Sequence, residues 1–306
     1  GSGGHDITRR LSEELNVPYY DRDLLRKASE VSGIHERLFG AADERVGWKE
    51  MLSAAEKVYT GEILPPDSDD YISTRNLFSF QAKIIKELAA TGCVEFLAET
   101  YSHSLASLAS KEDFTEQVRL HTNLMKKEFG VKPTAFRNTE LIYSDDIGAM
   151  VASMGFRTML AEGAKHVLGW KSPNYVYANA VDQKLRLLLR NYKLSDDIAF
   201  RFSNRSWDQW PLTAEKYVKW IASEDTPGEV VNLFMDYETF GEHQTADTGI
   251  FEFMRALPKA ILAKKNDLEF ATVSEAAKKH QPVSVLHCPH VMSWADEERD
   301  VTAWLG

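Results

Sequence analysis

Two acidic residues stand where apolar runs stop. In "EVVNLFMDYETFGEH" a continuous apolar stretch ends in Asp236, with Glu238 two residues on and His243 close behind. A run of this kind suits a strand covered on both faces, and a carboxylate at its end costs desolvation unless it has a partner or a task. The task would be that of a general acid. The plainer alternative is an aspartate that caps the following helix. In "AFRNTELIYSDD" Glu140 closes a short strand, with Arg137 three residues earlier. A nearby guanidinium keeps a glutamate ionised, as a nucleophile requires, although Arg137 and Glu140 could equally form a structural ion pair. Two carboxylates of opposite role on different strands suit glycosidic cleavage. In the retaining form they lie about 5–5.5 Å apart, one attacking the anomeric carbon and the other protonating the leaving oxygen and then activating water.

Other residues invite chemistry less specifically. The chain has seven Trp. Aromatic faces suit the C–H faces of sugars, but Trp is also core material. Trp220 falls in a helical pattern and reads as core, whereas Trp170 in "LGWKSPNY" and Trp294 in "HVMSWADEERD" lie in polar surroundings that suit a substrate platform. "HCPH", from His287 to His290, has no second ligand pair of the kind zinc sites use, so no metal is expected. "GSGGH" at the start resembles a phosphate loop through Gly1, Ser2, Gly3 and Gly4. It lacks both a preceding strand and the Gly-Lys-Ser/Thr ending, and so also reads as a tag remnant.

The elements that would position these groups follow from periodicity. Residues 1–92 read as helical with a Pro- and Asp-rich loop at "EILPPDSDDYIS". From Cys93 strands alternate with helices. "CVEFLAE", "PTAFRNTE", "FRTMLAEG" and "EVVNLFMD" are the strand candidates, and "KLRLLLRN" is a further apolar run. Helices are expected over Phe114–Phe129, over "SDDIGAMVASMG" with Ser144 as N-cap, over "TAEKYVKWIAS", and over "TGIFEFMRALPKAILAKK". "SDDIAFRFS" also opens on an apparent Ser-Asp-Asp cap. Such alternation predicts a parallel sheet, open or closed.

Composition sets the bounds. The chain has 306 residues, enough for one large domain or two small ones, and a net charge of −10, which disfavours nucleic acid or an anionic membrane as partner. Two cysteines, Cys93 and Cys288, make no disulfide framework, and the start shows no signal-peptide core, so a cytoplasmic setting is expected. No apolar run approaches the roughly 18 residues of a membrane span. Oligomeric state is left open.

From Gly92 the chain resembles glycoside hydrolase family 57, in its α-amylase-like branch. The runs that carry the likeness are "GCVEFLAETYSHSLASL", "AFRNTELIYS", "LGWKSPNYVY", "LLLRNYKLSDDIAFRFS", "WPLTAEKY", "MDYETFGEHQ" and "SWADEERDVTAWLG". The resemblance implies an α/β fold with an incomplete parallel (β/α)7-type barrel and a retaining mechanism on α-glucans, without cofactor. It implies Glu140 as nucleophile and Asp236 as acid/base, with Glu95, His243 and Trp294 near the sugar; Arg137, for its charge beside Glu140, and Trp170, for its polar setting, are the other expected substrate-binding residues. The family's first strand, with its His-Gln-Pro, has no counterpart upstream of Gly92. "HQP" at His280–Pro282 follows a helix and matches a different, late segment. Residues 1–92 resemble the cytidylate-kinase-like family through "GSGGHDITRRLSEELNVPYYDRDLLRKASEVSG" and "FSFQAKIIKELAATGC". The expected organisation is therefore a chimera: a kinase-like fragment over 1–92, mostly helical, and a barrel over 93–306 that lacks its first strand and is cut short at both ends. Glycosidase, nucleotide-binding kinase-like protein and inactive chimera are the rival functions.

Overall fold

The computed structural model describes residues 86–87, 89–91, 94–223, 228–236, 239–265, 267–295 and 297–302. The phosphate-loop residues Gly1, Ser2, Gly3 and Gly4, and the expected seam at Gly92 and Cys93, lie outside them. The chain divides into two compact units, Gly1–Val94 with Glu128–Gly130, and Glu95–Lys127 with Val131–Gly306. The sheet and the site below belong to the second.

Five strands make one sheet in the order β1-β2-β4-β3-β5. They are β1 (Ala135–Arg137), β2 (Thr158–Glu162), β3 (Tyr177–Asn179), β4 (Arg186–Arg190) and β5 (Ser284–Leu286). β1, β2 and β4 run parallel, as the alternation predicts. β3 runs antiparallel to β4, and β5 runs parallel to β3. The reversal follows from the short link over 180–185, since only antiparallel neighbours can be joined by a hairpin. The fold is thus α/β with a mostly parallel sheet.

Two predicted strands are looser than expected. Among the described residues of "CVEFLAE" only Ala98 pairs, through a parallel bridge to Phe136. "EVVNLFMD" forms no regular strand and lies outside the ladder. It is held instead by Asn191 N–H on the Asn232 carbonyl (2.9 Å) and by the Asn232 side chain, whose Nδ2 donates to the Leu189 carbonyl (3.0 Å).

The helices mostly follow their end signals. α1 (Lys111–Phe129) carries Glu112 and Asp113 in its first turn and Lys126 and Lys127 in its last, matching the helix dipole. It stops at Gly130, whose φ of +68° suits glycine. α2 (Asp145–Ser153) is capped by Ser144, whose Oγ accepts from Ile147 N–H at 3.3 Å. α3 (Tyr192–Ala199) corrects one expectation. Its cap is Asn191, accepting from Leu194 N–H at 3.0 Å, so Ser195, Asp196 and Asp197 lie inside the helix and are buried. The Ser-Asp-Asp triplet is chemically a good cap, but Ser195 and Asp196 serve tertiary partners and Asp197 pairs with Arg201 one turn on. α4 (Ala214–Ile221) and α5 (Ile250–Leu262) lie where predicted. α6 (Val273–Lys279) starts on a capping box between Thr272 and Glu275. Among the described residues no helix is long and apolar enough to cross a membrane.

The two faces of the sheet have different covers. Leu187 and Leu189 of β4 join a cluster with Phe114 and Val118 of α1 and Ile147 and Val151 of α2. Leu188, pointing the other way, joins Leu160, Leu141 and Ala277, with Phe234 and Trp294 packed against them. α6 seals this second face at the N-terminal edge of the strands. Arg186, first residue of β4, donates to the Ala277 carbonyl, and Thr134, just before β1, meets Ser274 at 3.1 Å. The C-terminal edge is left for the charged residues.

One contact tests how tightly β2 and β4 meet there. A Cβ on Gly163 would lie 2.2 Å from the Arg190 carbonyl oxygen, which belongs to a strand backbone and cannot swing aside. Gly163→Ala should therefore lower stability by about 1–3 kcal/mol, seen as a lower thermal midpoint in calorimetry. An unchanged midpoint would show that the strand ends are not packed this way.

Candidate active site

Three parallel strands deliver charge to one edge. β1 ends in Arg137, followed by Glu140; β2 ends in Glu162; β4 ends in Arg190. By register Glu162 lies opposite Arg190, and Arg137 lies opposite Leu160, so all three side chains share the face of Leu188.

Glu140 sits in a 3-10 turn, Thr139–Leu141, with φ +53° in the left-handed region, and Leu141 follows at +52°. Among the described residues the non-glycines with positive φ are His103, Glu140, Leu141 and Arg299. Each such residue costs roughly 1–3 kcal/mol, and strain of this kind collects at functional sites. Here Glu140, Leu141 and His103 gather at one carboxylate. The turn is held from outside. The Ser293 hydroxyl donates to the Glu140 carbonyl at 2.9 Å, and Trp294 N–H donates to the same oxygen at 3.2 Å.

The Glu140 carboxylate is held in turn. Trp294 Nε1–H donates to Oε2 at 2.8 Å. His103 Nε2 lies 3.7 Å from Oε1, an ion-pair rather than hydrogen-bond distance, while its Nδ1 meets Glu99 Oε2 at 3.0 Å. The Arg137 guanidinium lies 5.1 Å from the Trp294 ring centroid. His103, then Trp294 and Arg137, hold Glu140 below the usual carboxylate range against a partial burial that pushes the other way. Glu140 and Glu99 together raise His103 to about 9. The arrangement therefore presents an ionised carboxylate facing an imidazolium at neutral pH, as a nucleophile needs.

Behind Trp294 lies a buried ion network. Arg190 NH1 donates to Glu162 Oε2 at 3.1 Å, NH2 to Asp196 Oδ1 at 2.5 Å, and Nε to the Phe234 carbonyl at 2.7 Å. Its guanidinium lies 5.4 Å from the Trp294 ring centroid. Arg299 donates to Asp196 Oδ2 and to the Trp294 carbonyl, both at 3.1 Å. Glu162 also accepts from Gly163 N–H at 2.6 Å; burial pushes its pKa up while Arg190 and Arg299 pull it down.

The predicted residues fall into three groups. Glu140, Arg137 and Trp294 come together. Asp236 is exposed at the end of the segment that Arg190 holds, and its carbonyl accepts from Thr239 N–H at 3.2 Å. His243 follows on a loop pinned to α3 by Gln244 Nε2 on the Ala199 carbonyl (2.9 Å), and its ring stacks on Phe200 at 6.4 Å. Trp170, 92% exposed, stands on the turn after a short helix, Lys165–Leu168. Glu95 is not gathered with Glu140. Its carboxylate accepts from Ser274 N–H at 3.0 Å and from the Ser274 hydroxyl, at the N-terminal edge of the sheet. "HQP" sits at the same edge, where the His280 carbonyl accepts from Arg186 at 3.3 Å.

Glu99, His103, Glu162, Arg190, Asp196 and Arg299 were not singled out from the sequence. Glu162 and Arg190 obey the rule that exposed Glu140, a charge closing an apolar run. His103 and Arg299 carried no such signal. His287 and His290 bring no ligand set: His287 pairs with Asp145 at 3.0 Å, and among the described residues no group of three or more His, Cys, Asp or Glu could hold a metal.

The comparisons can now be set beside this geometry. A model described as glycosyl hydrolase family 57 matches residues 81–289, and one described as the cytidylate kinase-like family matches residues 1–97. A curated putative alpha-amylase of Methanocaldococcus jannaschii is 52% identical over 226 residues, covering 73% of this chain and 47% of that protein. The chain thus spans about half the length of that relative. Two solved structures share the fold at low identity. One is a 4-alpha-glucanotransferase from Thermococcus litoralis (TM-score 0.56, 17% identity, 83% of this chain and 39% of that one). The other is a branching enzyme from Thermococcus kodakaraensis (TM-score 0.54, 15% identity, 94% and 64%).

His103 gives the site a pH signature. Its folded pKa is raised from 6.5 to about 9, so its contribution to stability is fully present below pH 6.5 and is lost as pH rises through about 9. The imidazole C–H signals should titrate near 9 by NMR, and Glu140→Gln should move that midpoint down. A midpoint near 6.5 in the parent protein would contradict the pairing.

Proposed function

The chain belongs to glycosyl hydrolase family 57, and from that premise we propose that it cleaves or transfers α-glucosidic bonds of α-glucans such as starch, glycogen or maltooligosaccharides. Glu140 is the nucleophile and Asp236 the acid/base. The observation that carries the reading is the Glu140 carboxylate, kept ionised on a strained turn by Trp294, His103 and Arg137. An anomeric carbon above Oε1 or Oε2 would meet a charged oxygen with no proton to lose. The segment ending at Asp236 is held at the end of β4 through the Phe234 carbonyl, and in this reading Asp236 supplies the proton for the leaving oxygen. Arg137 and Trp294 give the pocket a cation and an aromatic ring, and Trp170 and His243 extend it along the chain of sugars. No organic cofactor or metal enters the chemistry. In this reading the sheet is part of an incomplete (β/α)7-type barrel.

A second reading concerns the other end of the chain. The cytidylate kinase-like match favours a joined protein, a kinase-like segment over 1–92 followed by the hydrolase segment over 93–306. Nucleotide binding would rest on Gly1, Ser2, Gly3 and Gly4.

Purified protein should release reducing sugar from soluble starch or maltooligosaccharides, and the first product should keep the α-configuration by NMR. Glu140→Gln should abolish release on every substrate. Asp236→Asn should lose activity on glucans but retain more on an aryl α-maltoside, whose leaving group needs no proton. Equal losses on both substrates would remove Asp236 from the acid role, and inversion of configuration would remove Glu140 from the nucleophile role.

A further inference from the structure

Arg190 reaches further than a structural ion pair needs to. It closes β4 and is 3% exposed. Its named acceptors come from separate parts of the fold: Glu162 at the end of β2, Asp196 inside α3, and the Phe234 carbonyl on the extended segment. A guanidinium is planar and its donors form a rigid fork, so acceptors in different directions fix its plane. The Trp294 ring lies against that fixed plane, and the indole N–H donates to Glu140. Phe234 is two residues before Asp236, and its own N–H donates to Ser195 Oγ at 3.2 Å, so its peptide is held on both sides.

We propose that Arg190 is the positioning residue for both carboxylates: it orients Glu140 through the Trp294 ring and places Asp236 through the Phe234 carbonyl. This rests on the reading of Glu140 and Asp236 as nucleophile and acid/base. Arg190 itself touches neither. Arg137 also lies against Trp294 but ends the other strand, and its contact with the ring does not tie it to the Asp236 segment. Asp196 extends the same control. It holds Arg190 with one oxygen and Arg299 with the other, and Arg299 holds the Trp294 backbone carbonyl. The indole is thus fixed by its ring and by its main chain from one buried aspartate.

The test substitutes the fork and keeps the charge. Arg190→Lys leaves a cation beside Glu162 and Asp196 but cannot span its acceptors or present a plane. It should lower kcat on the order of 10- to 100-fold with little change in KM, and the acid limb of the pH profile should move up as Glu140 loses its indole donor. A readout independent of activity is the carboxyl 13C signal of Glu140, assigned by its absence from Glu140→Gln. Its titration midpoint should rise in Arg190→Lys and in Trp294→Phe, and the double variant should add little to either. Asp196→Asn, a gentler change, should move it in the same direction. Loss of a negative charge alone would move it down, so the sign separates displacement from simple electrostatics. An unmoved Glu140 titration with parental kcat in Arg190→Lys, a downward shift in Asp196→Asn, or additive shifts in the double variant would overturn the proposal. A parent that releases no sugar but shows these shifts would refute the activity reading and leave the positioning role standing.

Discussion

Arg190 is a full positive charge taken almost wholly out of water, and nature's cost for that is several kcal/mol per ion unless geometry compensates. Compensation here means bringing Glu162 from β2, Asp196 from α3 and the Phe234 carbonyl from an unpaired segment to one guanidinium. Each partner is itself constrained. Glu162 is fully buried and takes a second bond from Gly163 N–H, while Asp196 is shared with Arg299. Apolar residues of similar volume could hold a core together as well or better. What they could not do is fix the direction of an indole N–H and the register of a chain segment outside the sheet ladder.

Positive φ at Glu140 and Leu141 fits the same logic. A turn of that shape does not persist on local preference. It persists because the stretch from Met292 to Trp294 binds it repeatedly, with Tyr143 and Met292 exchanging backbone bonds at 2.8 and 2.9 Å and Ser293 and Trp294 both reaching the Glu140 carbonyl. That stretch is itself anchored on the ion network through Arg299 and the Trp294 ring. The buried network supplies direction rather than net folding energy, and so holds one carboxylate in a conformation it would otherwise leave.

Much of the frame was legible in the sequence because it obeys local rules. Ser144 caps its helix, Gly130 ends another, and the runs before Arg137 and Glu162 read as strands, while that before Arg190 reads only as apolar. Glu140 was legible as a charge closing an apolar run. Less legible were residues whose role depends on distant partners. The Ser195-Asp196-Asp197 triplet has the chemistry of a cap, and only the position of Arg190 shows that Asp196 is needed inside the helix. "EVVNLFMD" has the composition of a central strand, yet it stays outside the ladder: its backbone bonds go to the Asn174 carbonyl, to Asn191 N–H, and to the Ser195 and Arg190 side chains.

Glu95 and Glu99 show where proximity in sequence misleads. They belong to one extended run, and four residues of strand span about 13 Å. At one end Glu95 holds Ser274 at the start of α6, on the edge that the helix seals. At the other Glu99 pairs with His103, which faces Glu140. The bridge of Ala98 to Phe136 fixes the direction of the run parallel to β1, so Glu99 must come out on the side of Glu140 and Glu95 on the other. A motif carried over by its neighbourhood points to a carboxylate on this run, but strand polarity decides which one comes out beside Glu140. Here it favours Glu99 as the partner of the site and gives Glu95 the task of fixing the closed end of the sheet.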